Sequence, residues 1–494
     1  MNQRDFIVQY LHESRPLFEE ISSFLFNHPE TRFEEEKSAG FLAEKCEEMG
    51  FSVTRGIAGI PTAFVAEYGA GKPVIGFLGE YDALSGLSQV PFGLSPQSEG
   101  KAAGHGCGHN LLGTGSFAAA CAAKTYLEAT GQSGSVKFFG CPGEEGGSGK
   151  TFMVREGVFK GLDSAFCWHP SPSNSIMSLS SLANYQVYFR FKGTSSHAAN
   201  SPHLGRSALD AVELMNVGVQ YLREHIISDA RIHYAITNTG GISPNVVQAE
   251  AEVLYLIRAP QVSQVEEIYQ RVRSIAQGAA MMTGTELHEE FDKACSNYIS
   301  NRPLERILYE SLKEIGVQPP TAEEVSFAEG IWKTLNPGEQ SNYLELMKGF
   351  GYAGTGEELK GKVLHDQISP YEETDAVLAG STDVGDVSWN VPMAQLSVST
   401  SALGTALHTW QMTSQGISSN AHKAMLRAAG SMALAAVKLF EDDQKLKEIQ
   451  NAFRKFAKQN PYVCPIPSDV RPSTLDGPLQ VSLSAVDGVL GGMV

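Results

Sequence analysis

The chain has 494 residues, with 38 Lys and Arg against 55 Asp and Glu, a formal net charge of −17. That acidity argues against nucleic acid or an anionic membrane surface as the main partner, although a local field can still receive an anionic substrate. A hydrophobic fraction of 42% and a charged fraction of 19% fit a soluble globular enzyme, and the length predicts two or more domains.

Residues 4 to 50 read as two helices split at Asn27-His-Pro-Glu30. The first, led by Met1-Asn-Gln-Arg-Asp5, is amphipathic and acidic and lacks the apolar core of a signal segment. No apolar run reaches about 18 residues, so no membrane span and a cytoplasmic location are expected. Phe51–Thr54, Thr62–Ala66 and Pro73–Gly79 are strand-like, followed by a helix over Leu111–Thr130 and strands at Val136–Gly140 and Ala165–Trp168. This alternation predicts an α/β fold with a mostly parallel sheet and helices on both faces.

The pattern then changes. Strands at Tyr185–Phe191, Ile232–Thr237, Ala251–Arg258 and Thr285–Phe291 enclose helical stretches at Ser207–His225 and Gln261–Met282. The order β-α-β-β-α-β is that of a ferredoxin-like unit, here inserted into the larger domain. The expected boundaries are therefore 1–184 and 299–465 for the two parts of the α/β domain and 185–298 for the insertion. Within the second part, Leu304–Ile315 is helical, 320–375 is poorly patterned, Gln395–Thr400 is a strand and Ala421–Phe440 a long helix. The Pro-, Ser- and Gly-rich tail, 466–494, is expected to be loosely ordered.

Seven cysteines are too few and too scattered for a disulfide framework. Cys46, Cys121 and Cys295 fall in apolar periodic segments and read as small core residues. Cys107 differs, because the glycines of Gly104-His-Gly-Cys-Gly-His-Asn110 leave it no packing role. His109 lies in the same segment, Glu144 and Glu145 in Cys141-Pro-Gly-Glu-Glu-Gly-Gly147, and His169 in Cys167-Trp-His-Pro170. Each segment follows a strand, and strand ends facing one way build a common crevice. Thiolate, imidazole and carboxylate together are the ligand set of a transition metal.

Two adjacent glutamates on an extended segment cannot point the same way. One can bind a metal while the other faces the water that the metal polarises, the division of labour that metal-assisted hydrolysis needs. His408 and His422 compete for the last ligand position. His408 is favoured because it lies just past the strand at 395–400 and a glycine turn, whereas His422 sits inside a helix.

These motifs together resemble the aminoacylase/carboxypeptidase family of di-metal amidohydrolases. Further matching stretches are Gly79-Glu-Tyr-Asp-Ala-Leu84, Gly193-Thr-Ser-Ser-His-Ala-Ala199, Gly240-Gly-Ile-Ser-Pro-Asn245 and Gly404–Gln411, so the likeness spans roughly residues 5–465. The resemblance implies two divalent metal ions per subunit, Zn2+ or Mn2+, bridged by Cys107 where most relatives place an aspartate. His109, Glu145, His169 and His408 would complete the two sites, with Glu144 as general base.

It also implies that the insertion is a lid and dimerisation domain. Its His197 would reach into the neighbouring subunit's site to stabilise the oxyanion, and Asn245 and Arg258 would hold the substrate's backbone oxygen and carboxylate. A structural ion pair is the alternative for Arg258. The implied substrate is an N-acyl amino acid with a free carboxylate, in the first place p-aminobenzoyl-glutamate, with other acyl amino acids or dipeptides as alternatives. A homodimer is implied, with a hetero-oligomer formed with a related chain as a further possibility. A non-catalytic metal-binding protein is the rival from another class, and Glu144 beside Glu145 argues against it.

Overall fold

The structure, a computed structural model, describes residues 2–475, 477 and 478. The first expected helix is in fact two, Gln3–Glu13 (α1) and Arg15–Asn27 (α2). Pro16 lies in the first turn of α2, where its missing N–H costs nothing, but it cannot extend the helix before it. Glu36–Glu48 (α3) leads into an antiparallel edge hairpin, Ser52–Arg55 (β1) with Phe64–Gly69 (β2). Val74–Glu80 (β3) follows, then the helix His109–Thr130 (α4), Ser135–Cys141 (β4), Ser164–Ser171 (β5) and the short Ser175–Ile176 (β6).

A second sheet comes next, built from Ala183–Lys192 (β7), Arg231–Asn238 (β8), Glu250–Ala259 (β9) and Glu286–Cys295 (β10). Helices Ala208–Leu222 and Val262–Thr283 connect β7 to β8 and β9 to β10. The spatial order is β8-β9-β7-β10, and every neighbouring pair is antiparallel.

The chain then rejoins the first sheet through Met393–Ser399 (β11), giving the order β1-β2-β4-β3-β5-β11-β6. β4, β3, β5 and β11 run parallel to one another, so their C-terminal ends share one edge. The fold is thus mixed α/β with a large, mostly parallel central sheet.

α4 fixes how tightly the layers close. Its run Ala118–Ala123 is buried, and it packs between the sheet and the long helix Ser419–Glu441. Two glycines let it approach. A Cβ on Gly113 would stand 2.5 Å from the Glu80 carbonyl at the end of β3, and one on Gly115 would stand 2.8 Å from the Trp168 ring on β5. Trp168 is buried and donates its indole N–H to the Leu112 carbonyl at 3.0 Å.

The segment 320–375, expected to lack pattern, contains helices Ala322–Thr334 and Pro337–Lys348. Both open with capping boxes, Thr321 with Glu324 and Asn336 with Glu339. The start of the expected loose tail is instead anchored. Ile466 is buried, Arg155 donates to the carbonyls of Pro467 (3.0 Å) and Val470 (2.9 Å), and Ser473 donates to Asp292 at 2.5 Å. The expectation for 479–494 lies outside the described residues.

Candidate metal centre and active site

The parallel strand ends bring the ligand candidates together. Gly108, at φ 79°, is the N-cap of α4, so Cys107 lies just before the helix and His109 is its first residue. His169 lies within β5, two residues before its end, and not beyond the strand as the hydrophobic pattern suggested. Cys107 Sγ is 3.5 Å from His169 Nε2. The ligand atoms of Cys107, His109 and His169 lie within 4.8 Å of one another, as do those of Cys107, Glu145 and His408. Cys107 belongs to both triads.

His408 has a φ of 60°, a conformation rare outside glycine, and its backbone N–H is tied to the Gly106 carbonyl at 2.8 Å. That bend puts its Nε2 3.2 Å from Glu145 Oε2. His422, the competing histidine, faces Glu19 on α2 at 3.7 Å and is not among the clustered donors.

Two acids that the motif reading left without a role organise the centre. Asp82 accepts from His109 Nδ1 at 2.9 Å and from the Glu145 backbone N–H at 2.7 Å. It therefore fixes the His109 tautomer and joins two ligand segments, as carboxylates behind metal-binding histidines do. Glu80 stands 3.3 Å from His109 Nε2 and forms a third acidic grouping with His109 and Glu144. Behind it, the fully buried Lys150 ammonium lies 2.7 Å from Glu80 and 2.6 Å from Asp383. Burial alone would discharge Lys150, but the Asp383 and Glu80 carboxylates hold it protonated. The alternating Gly79-Glu-Tyr-Asp82 at a strand end was a readable signal for the two acids; Lys150, after Ser148-Gly149, had none.

The donor set fits divalent cations. His109 Nε2 and Glu145 Oε1 are buried without a hydrogen-bond partner, although native interiors rarely leave such atoms unpaired. Burial and the Glu145 charge push the Cys107 thiol well up, and burial with Glu80 and Glu145 raises the Glu144 carboxyl well above the ordinary range. Burial would also raise Glu145, but the His408 hydrogen bond and the charges of His109 and His408 hold it down at about 2. His169 is lowered to about 4 by burial, so its ring is neutral, the form that binds metal. A crowded anionic cluster of this kind is relieved by cations.

The remaining site candidates lie in or beside the second sheet. His197 is exposed, and its Nδ1 accepts the backbone N–H groups of Ala199 (3.3 Å) and Asn200 (3.1 Å). With Nδ1 occupied as an acceptor, Nε2 is the ring's donor. The exposed Asn245 is next to it, its carbonyl accepting the Ala198 N–H at 3.0 Å. Among the described residues, neither side chain bonds to the ligand cluster. Arg258, on β9, has no ion-pair partner among the described residues, and its Nε is buried and unpartnered. Burial lowers its pKa, while the charges of Cys295 and Glu144 oppose that shift. Among the described residues, the alternative of a structural ion pair for Arg258 is not seen.

The profile of peptidase family M20/M25/M40 matches residues 76–331. The chain is 53% identical to one of the two subunits of the p-aminobenzoyl-glutamate hydrolase of Escherichia coli (strain K12), over 95% of this chain and 98% of that protein. The other subunit of that hydrolase is 27% identical, over 45% of this chain and 53% of its own length. Among solved structures, the aminobenzoyl-glutamate utilization protein of Klebsiella pneumoniae superposes with a TM-score of 0.58 at 15% identity, covering 87% of this chain and 98% of that one. A dinuclear metal-binding M20 peptidase of Bacillus subtilis does so with a TM-score of 0.50 at 17% identity, over 88% and 99%. Both structural likenesses bear on the fold. With a family match over half the chain and a relative of 53% identity along almost all of it, the chain belongs to peptidase family M20/M25/M40.

Proposed function

We propose that the protein is a metal-dependent amidohydrolase that cleaves p-aminobenzoyl-glutamate, a folate breakdown product, to p-aminobenzoate and glutamate. The observation that carries this reading is one thiol shared by two ligand triads, with the partly exposed Glu144 beside them. The substrate follows the Escherichia coli relative, which is named as part of a p-aminobenzoyl-glutamate hydrolase. Two divalent ions, zinc or manganese, would be held by Cys107, His109 and His169 on one side and by Cys107, Glu145 and His408 on the other. When bound, such ions acidify water and polarise a carbonyl.

The chain's own groups do the rest. Glu144 takes the proton of the attacking water and passes it to the glutamate nitrogen as the carbon–nitrogen bond breaks. His197 Nε2–H donates to the tetrahedral oxyanion, Asn245 holds the substrate's backbone oxygen, and Arg258 pairs with its carboxylate. Chelated protein given back zinc or manganese should release p-aminobenzoate and glutamate in equal amounts. Metal-dependent turnover of other N-acyl amino acids or dipeptides, with none of this substrate, would transfer the same residues to the second reading. No turnover of any of them would sink both.

The unit 185–298 is, in this reading, an inserted ferredoxin-like lid between catalytic segments 1–184 and 299–465. Its β8 forms an open sheet edge, Tyr234 and Ile236 on that strand are exposed, and so are Leu214, Val217 and Tyr221 on the adjoining helix. Exposed apolar groups beside an unpaired edge suit a second copy of the chain. A related but different chain is the other partner, since the Escherichia coli hydrolase is named with two distinct subunits.

In a homodimer His197 would serve the neighbouring site. His197→Ala should lower kcat by about 10²–10³, the usual worth of one oxyanion donor, with less effect on KM. Mixed with Glu144→Gln under subunit exchange, it should regain activity, because one site per mixed dimer is then intact. Exchange without recovery would refute the shared site.

A further inference from the structure

Away from the metal centre, α1, the start of α2, the end of helix Arg302–Ile315 and one face of helix Ser419–Glu441 enclose a cavity of about 520 Å³. That is the size of a small-molecule site. Its cations are Arg4, Arg15, Lys423 and Arg427, an unusual concentration in a chain of net charge −17.

Three of these cations are already paired. Arg4 meets Asp5 at 2.9 Å, Arg15 meets Glu19 at 2.6 Å and Lys423 meets Glu324 at 2.9 Å. The acid on the lining, Glu314, is held by Lys438 at 2.8 Å. Arg427 is the exception. It is 7% exposed, and among the described residues its partner is an amide oxygen, Asn174 Oδ1 at 2.9 Å, with no carboxylate in ion-pair range. Burial lowers its pKa to about 10, with the Glu324 charge opposing, so it is charged at neutral pH. A buried guanidinium without a counter-ion is costly, and proteins rarely keep one unless something supplies the negative charge.

Apart from His12 and Gln318 the rest of the lining is apolar or glycine, with Val8, Leu11, Ile315, Val317 and Leu426 forming the walls. A bare inorganic anion would leave those walls against water. A carboxylate on a compact apolar body would satisfy both parts, since a guanidinium pairs with a carboxylate in a planar fork. We infer that this cavity is a second binding site, for a small organic carboxylate with an aryl or branched acyl body, whose charge is met by Arg427. The site has a physical link to the metal centre: Asn174, which holds Arg427, also accepts the Ser399 N–H at 3.0 Å at the end of β11, and it follows His169 by five residues.

The test is calorimetric titration with benzoate. It is done on the unaltered protein and repeated on Cys107→Ala protein, so that binding at the metal centre cannot account for the result and the outcome does not depend on the proposed reaction. Saturable binding is expected, weakened about 10- to 100-fold by Arg427→Gln, the usual effect of losing hydrogen bonds to a charged group. It should be abolished by Val8→Trp, which fills the cavity from its partly exposed rim. Should Arg427→Gln fail to fold, Arg15→Gln, on a partly exposed side chain, should still weaken binding while Val8→Trp removes it. No saturable benzoate binding, binding untouched by these substitutions, or inorganic phosphate binding as tightly as benzoate would each overturn the inference.

Discussion

Glu144→Gln should keep its metal and lose kcat by about 10²–10⁴, the usual worth of a general base. The amide has nearly the shape of the acid and leaves the two triads around Cys107 untouched, but it cannot accept a proton from water. Glu145→Gln should do the opposite. Glu145 lies 3.2 Å from His408, its other oxygen is a buried orphan, and its backbone N–H is tied to Asp82. Its loss removes a charged donor from one triad and leaves the proton acceptor in place, so metal affinity should fall first and turnover should recover in part with excess metal. Metal analysis alongside steady-state kinetics separates the two residues. If Glu144→Gln loses metal while Glu145→Gln retains it, the roles must be exchanged.

Replacing Cys107 by Ala should have the largest effect of any single ligand, because both triads include it. Each site is left with two protein donors and no anion between them. Loss of an outer-shell partner alone commonly costs about 10–100-fold, so turnover should fall by at least about 100-fold and bound metal should drop toward zero. Cys121→Ala is the control. Cys121 is as deeply buried, but it packs in the apolar middle of α4 and meets no ligand, so its loss should touch stability alone. Normal metal content with full activity in Cys107→Ala would end the bridging role.

The order of strands and helices was legible because each parallel strand is an apolar run and each helix has its own period. Boundaries were less so. The break at Ser14 was hidden because apolar periodicity continues across it, and the helices Ala322–Thr334 and Pro337–Lys348 were obscured by Gly and Glu, although Thr321 and Asn336 mark their starts.

By itself the sequence determined which residues can carry the chemistry. Cys107, His109, Glu144 and Glu145 stand among glycines beyond strands, where no packing role competes for them, and His169 stands near the end of β5 beside Pro170. Tertiary structure decided what those residues do together. Only the parallel register of β3, β4, β5 and β11 sets Cys107 between two triads, and only the left-handed turn at His408 brings its ring to Glu145 while His422 faces Glu19. The supporting charges, Asp82 behind His109 and Lys150 between Glu80 and Asp383, were likewise decided by the fold. The physical reason is range. Periodicity and turn chemistry act over a few residues, whereas the pairing of Lys150 with Asp383 joins positions more than two hundred residues apart, which no local pattern encodes.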